Sequence, residues 1–586
     1  MKEIQAKLVT LKINKMKILG ISCYYHDAAA ALINNGKIIA AAEEERFSRI
    51  KHDSSFPKKA IDFCLEKANC SIDEINWVIF YEKPFKKFER ILINILVTAP
   101  FARESSVNAL KVCLKDKLWI KTIISKNLKV PSEKILFADH HLAHAAVTFY
   151  TSPFKEAAIL TCDGVGEWTT TSWGYTKNNK IRLVEEIKYP HSLGLFYSAF
   201  TQYLGFQINE GEYKLMGLAP YGKPIYCDKV EKLIKQSADG AFKLDLSYFK
   251  FHKSEKLSFS QKFIDLFGLP PVNPKNSDKV INGYIDIAAS AQTVLENKLI
   301  VIAKNIKSKT KMDNLCYSGG VALNGVANWK IFKEAGFKNI FIHPAAGDSG
   351  GSLGAALYLY HHVLGNKKNV PLKHVYFGKM NEEKEIKKFL EDNNIKASKL
   401  SNKELIEKIV NLLLKKKVVG WVRGRFEWGP RSLGSRSILA DPRDKKMKDL
   451  VNAKIKFREA FRPFAPVCIY EEGNKYFDLG NLGKVQQPLQ YMIAVVPVKK
   501  EYQKKLGAIT HIDKTARPQL IKREVNPIYY DVIKRFGQKT GISVLLNTSF
   551  NLKGDPIINT CEDSYNTFMK SGIDALVFEN YLIEYV

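Results

Sequence analysis

Two stretches of this 586-residue chain repeat one pattern, and that repetition restricts the fold more than any other feature. Lys17 to Ser22 is a short apolar run. After a polar loop come Ala28 to Ile33 and Lys37 to Ala42, flanking Asn34-Asn35-Gly36. An Asn-Gly turn between two such runs signals a hairpin, because both residues tolerate the positive φ that a tight turn needs. Ala157 to Cys162, Thr169 to Tyr175 and Ile181 to Glu186 restate the pattern around a Lys-Asn-Asn-Lys turn. In each copy polar residues fill the loop after the first strand, Tyr24 to Asp27 in one and Asp163 to Glu167 in the other. An internal duplication is expected.

Helical patterns at Lys58 to Lys67, Ile285 to Ser308 and Val326 to Ala335 make the architecture alternating α/β. Two facing halves of this kind resemble the actin and sugar-kinase superfamily, which implies a nucleotide in the cleft between them. The pattern breaks between Leu364 and His374, where Gly365, a lysine pair, Asn369 and Pro371 mark a linker. The expected division is residues 17–363, a linker at 364–375, and a second α/β domain at 376–586. Residues 1–16 read as a leader or a misassigned start, with Met16 as the alternative first residue. They have no apolar run or cleavage site of a signal peptide.

Ile91 to Ala102 is too short to cross a bilayer and contains a proline, so no membrane segment is expected. Nine cysteines without CxxC spacing argue against a disulfide framework or zinc ribbon and point to the cytoplasm. The net charge is +30, yet its lysines are dispersed. Runs such as Lys415 to Lys417 and Lys445 to Lys448 read as solvated helix faces rather than a polyanion site.

His140 and His144 are spaced i, i+4 at the start of a helical run, so both imidazoles can reach one ion, and Asp163 follows a strand as a carboxylate ligand. His141 points elsewhere on that helix and reads as structural. Such a donor set suits iron, manganese or zinc. Gly319 and Gly320 lie between an apolar run and a helix, where backbone amides can approach phosphate. With Gly164 and Asn324 they are candidate nucleotide contacts. Asp348 is presented from a second glycine-rich turn, Pro344 to Gly351. Gly424 to Arg436, followed by Asp441-Pro442-Arg443, sets four arginines among glycines and suggests anion recognition, with Lys456, Arg458 and Arg462 continuing the lining. Asn547 to Asn551 could read a small polar group after a strand. Neither Gly-x-Ser-x-Gly nor GxxxxGK[ST] occurs, which disfavours serine-hydrolase and P-loop chemistry.

Together these motifs resemble the O-carbamoyltransferase family, whose members act on nodulation factors and on aminoglycoside or cephem antibiotics. The resemblance covers nearly the whole chain. Lys17 to Ile21, His26 to Ala30, Glu43 to Phe47 and Lys51-His52 follow the family's opening in order and spacing. Asp139 to Ala145, Gly211-Glu212, Lys214 to Gly222, Ser318 to Asn324, Gly347 to Gly350, the arginine block and Asn547 to Asn551 follow suit, while Tyr213 stands where some members carry a smaller residue. The resemblance implies an actin-like domain related to the tRNA threonylcarbamoyl transferase, joined to a YrdC-like α/β domain. The YrdC-like domain would make carbamoyl-adenylate from carbamoyl phosphate and ATP, and the actin-like domain would pass the carbamoyl group to a hydroxyl of a small molecule.

By residue matching, Arg431, Lys456, Arg462 and Arg517 would hold the phosphates and adenylate. Lys51 and His26 would line the acceptor side, with His26 as base. One divalent metal, Fe(II) by resemblance, would sit on His140, His144, Asp163 and Asp348. The implied partners are carbamoyl phosphate and a small hydroxylated acceptor, with nucleic acid disfavoured, no membrane, and a homodimer compatible. Two alternatives stay open: threonylcarbamoyl-type modification of tRNA, which the charge would suit, and a non-catalytic ATP-binding module of the actin superfamily.

Overall fold

The computed structural model describes residues 16–98, 118–275, 283–368, 371–480 and 487–585. Residues 1–15 of the expected leader and part of the expected linker lie outside them. The chain forms two compact units, one of residues up to Glu44 with Asp53–Leu372, the other of Glu45–His52 with the chain from Lys373 onward. The sequence reading assigned 45–52 to the first domain, whereas the structure groups this segment with the second. Arg46 Nη2 donates to Gly429 O at 3.0 Å, and Arg49 Nη1 donates to Ile557 O at 2.7 Å.

The duplication is visible strand by strand in the first unit. Strands β1 (Lys17–Ser22), β2 (Ala29–Asn34), β3 (Lys37–Glu43), β4 (Trp77–Phe80) and β5 (Ile135–Phe137) form a sheet of order β3-β2-β1-β4-β5. The second half supplies β6 (Ala158–Cys162), β7 (Thr169–Lys177) and β8 (Lys180–Lys188), then a short hairpin of β9 (Ile234–Gln236) and β10 (Phe242–Leu244), and finally β11 (Asn314–Ser318) and β12 (Asn339–Ile342). Its sheet runs β12-β11-β6-β7-β8, the same topology. In both halves the first three strands are antiparallel and the last two join in parallel. Both hairpins turn through two positive-φ residues, Asn35-Gly36 and Asn178-Asn179, as the turn chemistry predicts.

Each half ends in a helix, His140–Thr151 in the first and Asp348–Leu357 in the second. They pack closely because the second is glycine-rich: a Cβ on Gly354 would lie 2.0 Å from Ala143 O, and one on Gly20 of β1 would lie 1.8 Å from Ser352 O. The start of the expected linker is docked rather than free. Lys368 Nζ donates to Phe154 O at 2.7 Å and to Ser152 Oγ at 3.0 Å, just past the end of helix His140–Thr151.

The second unit is a mixed sheet with helices. Its strands are β13 (Ser398–Lys399), β14 (Val419–Val422), β15 (Arg436–Ala440), β16 (Ala465–Ile469), the small pair β17 (Val496–Pro497) and β18 (Thr515–Ala516), then β19 (Gln519–Ile521), β20 (Val544–Ser549), β21 (Ala575–Phe578) and β22 (Tyr581–Glu584). Eight of them form one sheet of order β13-β22-β21-β14-β15-β20-β16-β19. Helices Asn402–Leu414 and Pro527–Thr540 lay Leu405, Ile409, Val532 and Phe536 on Trp421, Val467 and Leu545 of that sheet. Their capping suits their ends: Ser401 accepts from Glu404 N at one start, and Asn526 caps the other, with Pro527 in its first turn. Among the described residues no helix is long and apolar enough to cross a membrane.

Candidate metal and anion sites

His140 and His144 face one point from one side of their helix, and Asp163 and Asp348 face it from the other half of the unit. His140 Nε2 lies 3.0 Å from His144 Nε2, 3.2 Å from Asp163 Oδ2 and 3.6 Å from Asp348 Oδ1. His144 Nε2 lies 3.6 Å from Asp348 Oδ1 and 3.8 Å from Asp163 Oδ2. Four donors around an ion with bonds of about 2.1 Å stand about 3–3.6 Å apart, so this spacing fits a single cation. All four residues are buried, and neither oxygen of Asp348 has a hydrogen-bond donor. A buried carboxylate left in that condition calls for positive charge. Two imidazoles and two carboxylates match a nitrogen- and oxygen-preferring divalent ion.

The protonation of the cluster is set by the same geometry. Burial works against the His144 imidazolium, but the carboxylates of Asp163 and Asp348 beside it raise its pKa to about 9. Burial works against the Asp163 and Asp348 carboxylates too, and the neighbouring histidines hold both below the ordinary carboxylate range. His141 turns away, as the helix period requires. Its Nδ1 is 2.6 Å from Thr161 Oγ1, and burial with two neighbouring imidazoles pushes it down to about 3, so it is a neutral structural residue.

Residues outside the four hold them in place. Glu167, buried in the loop after β6, accepts from the amide of His140 at 3.0 Å and from that of Lys83 at 2.9 Å. A carboxylate at the first turn of helix His140–Thr151 satisfies an open amide and complements the helix dipole. The sequence reading placed Glu167 in a polar loop but gave it no role. Gly320 N–H donates to Asp163 Oδ1 at 2.8 Å, and Gly319 N–H donates to Ala346 O at 3.0 Å. These amides were expected to receive phosphate, but the structure commits them inside the protein, where they aim Asp163 and tie its turn to the turn before Asp348. Gly164 O accepts from Ser192 Oγ at 2.7 Å. Asn324 is a helix cap: its Oδ1 accepts from Ala327 N at 3.1 Å, and its amide exchanges hydrogen bonds with Gln292.

His26 sits at the edge of the cluster, its Nε2 3.7 Å from Asp348 Oδ2 and its Nδ1 2.9 Å from Asp27 Oδ2. Burial lowers it, and the two carboxylates more than offset this, raising it to about 10. Lys51 belongs to the segment grouped with the second unit, where its charge acts on Lys456.

The second unit gathers cations. Burial, with Arg431, Arg458 and Arg462 nearby, pushes Arg517 well below the ordinary arginine range, and its Nε is buried with no acceptor. Burial, with Arg458, Arg462 and Lys51, likewise pushes Lys456 down, although its Nζ donates to Ser549 O and Asn551 O at 2.8 Å each and to Asn551 Oδ1 at 2.6 Å. Lys456 is buried and Arg431, Arg458, Arg462 and Arg517 are half-buried, and cations gathered this closely suit an anion. The arginine block contributes less than its composition suggests. Arg425 donates to Phe377 O and Gly378 O, buried Arg436 donates to Gly424 O and Lys379 O, and Arg443 pairs with Asp441. Of the four, Arg431 lowers the pKa of Arg517. Asn547 Nδ2 is spent on Ser432 O and Gln519 Oε1, 3.1 Å from each.

A duplicated α/β unit with a buried two-histidine, two-aspartate cluster is followed by an α/β unit that gathers lysine and arginine side chains, and this pairing defines the class. The family models described as Carbamoyltransferase N-terminus and Carbamoyltransferase C-terminus match residues 17–357 and 410–585. An uncharacterized protein of Synechocystis sp. is 43% identical over 600 residues, covering 97% of this chain and 96% of its own. The nodulation protein NolNO of Sinorhizobium fredii is 33% identical over 570 residues, covering 96% and 79%. An uncharacterized protein of Methanocaldococcus jannaschii is 32% identical over 634 residues, covering 97% and 99%. The chain belongs to the carbamoyltransferase family and is a carbamoyltransferase.

Proposed function

We propose that the protein is an O-carbamoyltransferase that hydrolyses carbamoyl phosphate to carbamate with loss of phosphate, joins the carbamate to ATP as carbamoyl-adenylate with release of pyrophosphate, and passes the carbamoyl group to a hydroxyl of a small molecule with release of AMP. The observation that carries this reading is the cationic cluster of Arg431, Lys456, Arg458, Arg462 and Arg517. Its closely grouped charges, with Lys456 buried and the four arginines half-buried, suit a substrate with several phosphate oxygens. In this reading Arg517 binds the phosphates, Lys456 adds its charge from where Ser549 and Asn551 hold its ammonium, and adenylation gives the carbamoyl carbon a good leaving group. His140, His144, Asp163 and Asp348 would hold one divalent cation, with ferrous ion the first to test, and that ion would polarise a carbamoyl or phosphate oxygen. His26 would take the proton of the acceptor hydroxyl once the charge of Asp348 is engaged as a ligand. The work is proposed to take place in the cytoplasm.

Incubating the full chain with ATP, carbamoyl phosphate and ferrous ion should release pyrophosphate and yield carbamoyl-adenylate. Absence of both products under conditions where ATP binds would sink the proposal. The net charge of +30 supports one second reading, modification of tRNA. Filter binding of tRNA across salt concentration tests it: specific retention at physiological salt, without activity on small hydroxylated acceptors, would favour it.

A further inference from the structure

Tyr81 directly follows β4, and its amide still donates to Ile21 O of β1 at 3.1 Å, so the sheet fixes where its side chain goes. It packs on helix Asp348–Leu357 at Gly351, where a Cβ would lie 2.7 Å from Tyr81 Cδ2. The missing side chain makes room for the phenol ring, which is fully buried with its centre 5.3 Å from that of His140. Its hydroxyl has no hydrogen-bond partner. A buried phenol in that condition calls for an acceptor, and an unsatisfied group beside a reactive cluster is where a ligand atom fits.

Two carboxylates act on that hydroxyl. Burial, then the charges of Glu82 and Asp348, push its pKa well above the ordinary tyrosine range, so it keeps its proton and can only donate to an anion or carbonyl. Glu82 is already paired with Lys87 at 2.6 Å. Both oxygens of Asp348 are as bare as the phenol, and the two groups do not meet. We propose that Tyr81 is a catalytic residue whose hydroxyl donates a hydrogen bond to the carbamoyl oxygen at the cluster of His140, His144, Asp163 and Asp348, a role that rests on the carbamoyl-transfer reading. When the acceptor oxygen bonds to the carbamoyl carbon, its proton goes to His26 and one C=O electron pair moves onto the carbamoyl oxygen. The donated hydrogen bond strengthens as that charge grows. The pair then returns, the bond from the carbon to the phosphate oxygen of AMP breaks, and AMP leaves with those electrons. Tyr81 keeps its own proton throughout.

Acetate has the shape of carbamate and tests the hydrogen bond without turnover. Titrated into the cobalt(II)-loaded full chain and followed by visible absorption, it should bind about tenfold more weakly to Tyr81→Phe than to wild type, with cobalt content unchanged. The metal-free variant should unfold at the wild-type temperature or above it, because the oxygen removed has no partner in the protein. In the full reaction the variant should lose about a hundredfold in kcat for transfer, keep its KM for the acceptor, and release pyrophosphate as wild type does. Equal acetate affinity in the two proteins, no acetate binding to wild type, or a variant that unfolds well below wild type overturns the proposal, the last by making the hydroxyl structural. Acetate binding that depends on Tyr81, in a chain that forms no carbamoyl-adenylate, would support the hydrogen bond and sink the carbamoyl-transfer reading instead.

Discussion

Glu167 acts on the cation cluster without belonging to it. Its carboxylate fixes the first turn of helix His140–Thr151, so Glu167→Gln should weaken cation binding about tenfold or more while leaving the helix formed. Isothermal titration of the metal-free protein measures this, and an unchanged affinity would remove the positioning role. His144→Ala should abolish cation binding and carbamoyl transfer but spare pyrophosphate release, and equal loss of both steps would refute the division of labour. Lys456 supplies a pH test. Its pKa lies below lysine's ordinary 10.5, and a bound polyphosphate favours the ammonium. Phosphate binding should therefore take up a proton, and affinity should fall as pH rises through that lowered range. Titration in buffers of different ionisation enthalpy reads the proton, and no uptake would place the phosphates elsewhere. His140, His144 and Asp163 were legible because helical spacing and a strand end are local patterns. Asp348 came from resemblance, and Glu167 was missed because it caps a helix 27 residues before it in the chain.

At the level of elements, the two hairpins and the duplicated sheets were legible because alternation and Asn-rich turns are written in consecutive residues. The arginine block was misread for the opposite reason. Arg425 and Arg436 are committed to backbone carbonyls, and no sequence pattern separates such a residue from an anion ligand. Gly350 and Gly351 were read as part of a glycine-rich turn, yet they lie inside helix Asp348–Leu357, where Gly354 serves close helix packing. Gly354→Ala, whose new methyl would lie 2.0 Å from Ala143 O, should cost about 1–3 kcal/mol and loosen the cation cluster. Urea unfolding measures the loss, and a cost near zero would mean that the two helices can shift apart freely.

Across the whole molecule, the two clusters should report ligand binding independently. Saturating divalent cation at a hundredfold excess over its dissociation constant should stabilise the protein by about 2.7 kcal/mol, and ATP should do so separately. His144→Ala should erase the first thermal shift and keep the second, and Lys456→Met should do the reverse. Loss of both shifts in either variant would show that the sites are not independent. The feature least visible in the sequence is the excursion of Glu45–His52, since its composition matches the first domain around it.

That excursion means the chain enters the second unit, returns, and enters it again, so no single cut yields two intact parts. A fragment ending at Leu372 would keep Arg46 and Arg49 while losing the carbonyls of Gly429 and Ile557 that receive them. A fragment starting at Lys373 would lack the two guanidinium groups themselves. Dividing the protein into its two units would have to carry the eight residues Glu45–His52 across the break.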